Sequence, residues 1–256
     1  MSLKPYSVPN RFTIDKIQIS RVNMDLTLDA IDEALVKKNY GYLCVTNART
    51  TYLANRDSTY CSIQNNSLLT VPDGMPLVWI ANNFGFKEVQ KVSGIDLMDS
   101  IFKKSLEKGY SHYFYGCSEN TINLLQKKLK EKYSGIDIKG AVSPPFQPLE
   151  DYDIMVLSKE VNTLKPTFFW CGLGAPKQEK LIALLQPHLT QSISIGVGLA
   201  FEYFADTVKR APKLIEKSGL EWFYRLCQQP KKIFRFIGPF LFIFKFIIKS
   251  KLKEHE

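Results

Sequence analysis

Thr167-Phe-Phe-Trp-Cys171, followed by Gly172-Leu-Gly174-Ala-Pro-Lys177-Gln178-Glu179, decides how this chain folds. The first part has no charge and is dominated by bulky residues, as a strand buried on both faces requires. The glycines turn the chain, and Pro176 suits the first turn of a helix. Working outward, the same alternation recurs. Residues 42–45, 68–71, 112–115 and 136–138 read as short strands before this one, and 192–197 as a last strand after it. Helices are expected over 48–56, from near Pro76, over 96–106 with Asp96 as N-cap, from Ser118 to about 133, over 152–163, and from Pro176. Pro144, Pro145 and Pro148 mark a loop. Short buried strands alternating with helices give an α/β fold, with a mostly parallel Rossmann-like sheet and helices on both faces.

The composition agrees. Hydrophobic residues make up 45% of the 256, enough for a real core and too many for wholesale disorder. The cysteines, at 44, 61, 117, 171 and 227, are odd in number and never form a C-x-x-C pair. That pattern excludes a disulfide scaffold and suits a reducing compartment. The histidines, at 112, 188 and 255, lack metal-ligand spacing, which argues against a zinc site or a Ser-His-Asp triad. Asp151-Tyr-Asp153 is a D-x-D that a metal-dependent transferase could use, but its place between a proline loop and a helix suits a solvated cap better.

Charge is concentrated at one end. The net charge is +9, and from Val208 onward there are twelve basic and four acidic residues. Such a block seeks an anionic partner. It also holds Phe240-Leu-Phe-Ile-Phe-Lys-Phe-Ile-Ile248, the most apolar stretch of the sequence and too short to span a bilayer, which takes roughly 18 residues or more. Phenylalanines interleaved with lysines are expected to lie in a membrane interface; the alternative is a helix docked on the protein's own core. The first twenty residues are polar and show no signal-peptide pattern, so a cytoplasmic protein touching the inner leaflet is expected. The organisation expected is an α/β core over 1–207 and a helical, basic and hydrophobic appendage over 208–256. Nucleic acid is not expected as a partner, because its binding needs exposed cations more than apolar bulk.

Ligands of such sheets bind beyond the carboxyl ends of the strands. The candidate positions are therefore Thr46-Asn47, Asp73-Gly74, Gly116, Gly172 to Gln178, and Gly196 to Gly198. Gly172 and Gly174 would let backbone approach a ligand, and Lys177 and Gln178 would add donors on a helical first turn. Spacing alone does not separate this from an ordinary strand-to-helix turn. A nicotinamide fingerprint would need a third glycine where Lys177 stands. Asp73 is either a turn residue or a general base, and Asn47 either a loop residue or an amide that reads hydroxyls. Ser93-Gly-Ile-Asp96 is either an N-cap or part of the site.

Together these segments resemble the WecG/TagA/CpsF family of bacterial glycosyltransferases. The resemblance rests on Asn47-Ala with Asp57 ten residues on, Pro72-Asp73-Gly74, Ser93-Gly-Ile-Asp96-Leu97, Gly172 to Glu179, Gly196-Val-Gly198, Val208-Lys-Arg-Ala-Pro212, Gly219-Leu-Glu-Trp-Phe-Tyr-Arg225, Gln229-Pro-Lys-Lys232 and Arg235. It runs over roughly residues 12–236. It implies inverting transfer of a sugar, N-acetylmannosamine or its uronate, from a UDP donor to a polyprenyl-diphosphate-linked sugar, with no cofactor and no metal. Asp73 would be the general base and Arg225 the main catalytic cation, and the appendage would complete the active site. Gln178 and Asn47 would line the donor pocket, and Asp96, Gly116, Gly172, Gly174, Lys177, Gly196 and Gly198 are the further substrate-binding candidates from the crevice and the motifs. Lys232 and Arg235 would join Arg225 over the diphosphate. Val45 stands where several relatives carry threonine, which leaves another UDP-hexose donor, such as glucose, as an alternative. A non-catalytic membrane scaffold is the alternative from another class, and a homo-oligomer stays open.

Overall fold

The computed structural model describes residues 9–212, 215, 224 and 234–253. Arg225 and Lys232 lie outside the described residues, as does the side chain of Arg235.

In chain order the elements are β1 (Arg11–Ile14), β2 (Ile17–Ser20), α1 (Met24–Val36), β3 (Tyr42–Thr46), α2 (Ala48–Arg56), α3 (Ser58–Asn65), β4 (Leu69–Pro72), α4 (Met75–Asn83), α5 (Gly94–Lys108), β5 (Ser111–Gly116), α6 (Glu119–Lys132), β6 (Asp137–Val142), α7 (Ile154–Leu164), β7 (Phe168–Gly172), α8 (Lys177–Leu185), β8 (Ile193–Gly196) and α9 (Ala200–Phe204). A last helix, α10, covers Phe234–Lys253. Strands β3 to β8 form one six-stranded parallel sheet in the order β4-β3-β8-β7-β5-β6, and β1 and β2 form a separate antiparallel hairpin.

The strand period of two divides the core between the faces. On β7, Phe168 and Trp170 join Phe114 in a cluster with residues of α1, α5, α6 and α9. Their neighbours Phe169 and Cys171 join Tyr113 and Tyr115 in a second cluster with α7 and α8. Helices therefore cover both faces, as expected from the run at 167–171. His112 belongs to this packing rather than to a site. Its Nδ1 accepts from Trp170 Nε1 at 3.0 Å, which leaves the ring proton on Nε2, 3.0 Å from Ser105 Oγ. Burial pushes its pKa down to about 3, so the ring is neutral.

Local chemistry sets the helix starts. Ser118 caps α6 as expected, and Asp153 caps α7, which is the cap reading of the D-x-D. The expected cap at Asp96 is corrected: α5 begins at Gly94, and Ser93 is the N-cap, its Oγ accepting from the Asp96 N–H at 3.2 Å. The hydroxyl reaches a free amide of the first turn from outside the helix, whereas Asp96 is already inside it. The β1–β2 hairpin and helices α1 and α3 were not anticipated.

Helix α10 has two apolar faces. Phe242, Ile243, Phe246 and Ile247 pack on the hairpin, α2 and α4, in a cluster with Phe12, Ile14, Ile17 and Ile80, and Ile243 is only 5% exposed. Tyr52 and Phe242 meet edge to face at 6.0 Å, and Phe84 and Phe246 at 6.3 Å. This face is the docked helix that the sequence left as an alternative. Ile237, the adjacent pair Phe240 and Leu241, Phe244 and Ile248 recur at three- or four-residue steps and form an exposed stripe. No helix of the described residues is long and apolar enough to cross a membrane.

Candidate active site

The sheet register brings the expected positions to one level. Gly116 pairs with Gly172, Cys171 with Gly196, Gly196 with Cys44, and Thr46 with Pro72. The turns after β3, β4, β5, β7 and β8 thus share the carboxyl edge of the sheet. The α5 start joins them: a side chain at Gly94 would touch Val45 and the Val197 carbonyl.

At the β3–β4 side, the Asp73 N–H donates to the Thr46 carbonyl at 2.6 Å, which fixes the Pro-Asp-Gly turn against β3. Gly74 has a φ of 129°, which only glycine adopts readily, and a Cβ there would lie 3.8 Å from Pro76 Cδ and 4.0 Å from Asn47 Cβ. Asp73 and Asn47 therefore belong to adjoining turns. Asn47 caps α2: its Oδ1 accepts from the N–H groups of Arg49 and Thr50 at 3.0 and 3.2 Å. The Thr50 hydroxyl completes a capping box. With Oδ1 so engaged, the amide NH2 is the part of Asn47 suited to a ligand.

The β7–β8 side is tied together by one side chain. Gln178 is 4% exposed, and its Oε1 accepts from both Gly174 N–H at 3.0 Å and Gly198 N–H at 2.9 Å. Its Nε2 donates to Glu179 Oε1 at 2.8 Å. Several glycines here answer to packing. A side chain on Gly172 would come within 2.6 Å of the Phe201 ring, and one on Gly116 within 2.6 Å of the Gly172 backbone. Gly196 faces Gln178, whose Nε2 would lie 3.0 Å from an added Cβ. Gly174 differs, since nothing lies within 4 Å of its Cβ direction, so its side faces open space.

Lys177 reaches away from the turn. Its ammonium donates to the Gln147 carbonyl and sits 4.9 Å from the Phe146 ring centre and 5.0 Å from that of Tyr152. It thereby anchors the proline loop that follows β6, where Phe146 is fully exposed. Asp96 pairs with Arg210: Nη1 to Oδ1 at 2.8 Å and Nη2 to Oδ2 at 2.9 Å. Ser93 Oγ donates to the same Oδ2 at 2.5 Å. Beside this pair opens a cavity of about 1180 Å³ lined by α5, α6, α9 and residues 206–210. Several of its charges are matched, Lys128 by Asp206 and Lys132 by Asp99.

Three residues that the sequence did not single out hold this edge. Arg49 donates to the Ala175 carbonyl at 3.2 Å, linking the β3 and β7 turns. Arg210 anchors the start of the basic segment. Glu179, 2% exposed, lies beneath Gln178 with Tyr60, Cys44 and Arg49 near it. Burial raises its pKa to about 7 against the lowering influence of the Gln178 amide. A charged residue next to Gln178 in a strand-turn-helix motif was the available signal for Glu179. Among the described residues, no group of three or more His, Cys, Asp or Glu is arranged to hold a metal ion. What the edge offers is a residue with a carboxylate, Asp73, and one with an amide, Asn47, on adjoining turns whose backbones are held by hydrogen bonds.

Comparison with known proteins finds a family match and named relatives. Residues 12–256 match the family model described as "Glycosyl transferase WecG/TagA/CpsF family". A Bacillus subtilis (strain 168) protein named N-acetylglucosaminyldiphosphoundecaprenol N-acetyl-beta-D-mannosaminyltransferase is 26% identical over 219 residues, covering 85% of this chain and 84% of that one. A Staphylococcus aureus (strain MW2) protein of the same name is 26% identical over 254 residues, covering 96% of this chain and 98% of its own.

Proposed function

The chain belongs to the WecG/TagA/CpsF glycosyltransferase family, and from that premise we propose that it transfers N-acetylmannosamine or its uronate from a UDP donor to a polyprenyl-diphosphate-linked sugar. The observation that carries the reading is the Asp73 turn, tied to Thr46 beside Asn47 at the carboxyl edge of the sheet. A sugar hydroxyl is a weak nucleophile, and Asp73 takes its proton as it attacks the anomeric carbon. Attack from the face opposite the departing UDP inverts that carbon. The β-phosphate gains negative charge as the bond breaks, and Arg225, Lys232 and Arg235 stabilise it in place of a metal. Asn47 and the Gly174 and Gly198 turns hold the donor, and Gln178 supports those turns.

The acceptor's lipid requires a membrane nearby. The exposed stripe Ile237, Phe240, Leu241, Phe244 and Ile248, flanked by Lys245 and the lysines that follow, is suited to the interface of an anionic leaflet, with the inner face of the cell membrane as its place. Residues 208–256 then act as an appendage that brings cations and lipid contact to the 1–207 core.

The test is UDP release from a panel of UDP-sugars with a lipid-diphosphate N-acetylglucosamine acceptor. Acceptor-dependent release with UDP-N-acetylmannosamine or its uronate is expected. Release only with UDP-glucose would reassign the donor, and UDP binding without release from any pair would remove this activity.

A further inference from the structure

Gln178 poses a question of orientation. An amide can sit either way round, and only its oxygen can accept from two N–H groups. The Gly174 and Gly198 amides are both donors, so Oε1 must face them and Nε2 must face the other way. There it meets Glu179 Oε1 at 2.8 Å, in a site where both side chains are almost wholly buried. A flipped amide would confront two donors with a third and would set its oxygen against the Glu179 carboxylate.

We propose that Glu179 is a positioning residue of the donor site: its buried carboxylate fixes the Gln178 amide, and through it the turns after β7 and β8. One acceptor beneath the amide thus sets two backbone turns at once. Tyr60 on α3 and Cys44 on β3 lie near the carboxylate, and the hydrogen bond that Nε2 makes is the one to Glu179 Oε1. The link to the donor rests on the function proposed above; the link to the two turns does not.

The experiment compares wild type, Glu179→Gln, Glu179→Leu, Gln178→Glu and the exchange variant Gln178→Glu/Glu179→Gln. Hydrogen exchange is read on peptides covering 172–178 and 196–199, and donor KM and kcat are read from UDP release. Glu179→Gln keeps an acceptor for Nε2, so both turns stay protected and donor KM stays near wild type. Glu179→Leu removes it: exchange quickens in both peptides together, and donor KM rises about tenfold or more, the usual scale for losing a hydrogen bond to a charged group. Gln178→Glu alone sets two buried carboxylates together and deprotects both turns. The exchange variant restores an amide–carboxylate pair with donor and acceptor reversed, and so restores protection.

Unchanged protection in Glu179→Leu overturns the proposal whether or not the protein turns over. Faster exchange with an unmoved donor KM, in an enzyme that uses UDP-sugars, overturns its link to the donor. A wild type that neither binds nor releases UDP overturns the proposed function and leaves hydrogen exchange to judge Glu179. If Glu179→Leu fails to fold, as circular dichroism would show, Gln178→Glu and its rescue by the second substitution decide the matter.

Discussion

Asp96 receives the guanidinium of Arg210 in a two-point ion pair, Nη1 to Oδ1 at 2.8 Å and Nη2 to Oδ2 at 2.9 Å. The pair pins the start of the basic segment to the first turn of α5, whose Gly94 packs on the ends of β3 and β8. Arg210→Ala should therefore weaken the attachment of everything that follows. Both side chains are about a third exposed, 31% and 41%, so solvent screens the pair. The expected loss of stability is about 1 kcal/mol, read by denaturant unfolding. Transfer should fall further than that figure implies, because the segment carries Arg225, Lys232 and Arg235. Arg210→Lys should recover only part of it, since an ammonium cannot make the two-point contact. Full activity in Arg210→Ala would show that the segment is held by other contacts.

Asp73→Asn keeps the turn, because its tie to Thr46 is made by the backbone N–H. Turnover should drop by about 10² to 10⁴, the range for removing a general base, with UDP affinity by calorimetry little changed. A matching loss of UDP affinity would make Asp73 a binding residue instead.

The two faces of α10 predict opposite results. Ile243→Ala hollows a packed site and should cost about 2–4 kcal/mol of stability. Phe240→Ser with Phe244→Ser lies on the exposed stripe and should leave the unfolding midpoint within about 0.5 kcal/mol. The same pair should weaken binding to anionic liposomes. Undiminished liposome binding would show that the stripe is not what holds the membrane.

Glu179 predicts a pH dependence. Its pKa is raised from the model-peptide value of 4.5 to about 7 in the folded protein, by burial above all. Against burial, the Gln178 amide, the backbone, Tyr60 and Arg49 favour the charged form, and Cys44 and Cys171 lie close enough to interact with it. The folded state then holds this proton more tightly than the unfolded one. Stability from this group is full below pH 4.5, falls as pH rises toward 7, and stays low above it. The total is on the order of 3 kcal/mol, at about 1.4 kcal/mol per pH unit. Glu179→Gln should remove the slope and be the more stable protein at pH 8. Equal slopes in the two proteins would mean that Glu179 titrates normally.

The sheet was legible because its strands are local signals. The run from 167 to 171 is apolar on both faces, and α2 begins and ends where the residues between Asn47 and Asp57 suggested. The hairpin was overlooked although Phe12, Ile14, Ile17 and Ile19 alternate cleanly with exposed residues, because prolines and charges around them read as a polar leader. The site divides similarly. Asp73 and Asn47 stand at strand ends, where sequence can point. The partners of Asp96 and Gln178 are chosen by tertiary contacts, with Arg210 lying 114 residues beyond Asp96. The contacts of Lys177, with the Gln147 carbonyl and two rings, are likewise tertiary and could not be read from the motif.

The central claim is that this chain moves a sugar from UDP to a lipid-diphosphate acceptor with Asp73 as base and no metal. The most direct test is UDP release from UDP-N-acetylmannosamine, with and without the lipid-diphosphate N-acetylglucosamine acceptor, for wild type and Asp73→Asn in EDTA. Wild type should show acceptor-dependent release, undiminished by EDTA and abolished in the variant. Release lost in EDTA and restored by Mn²⁺, or equal release by both proteins, would contradict it.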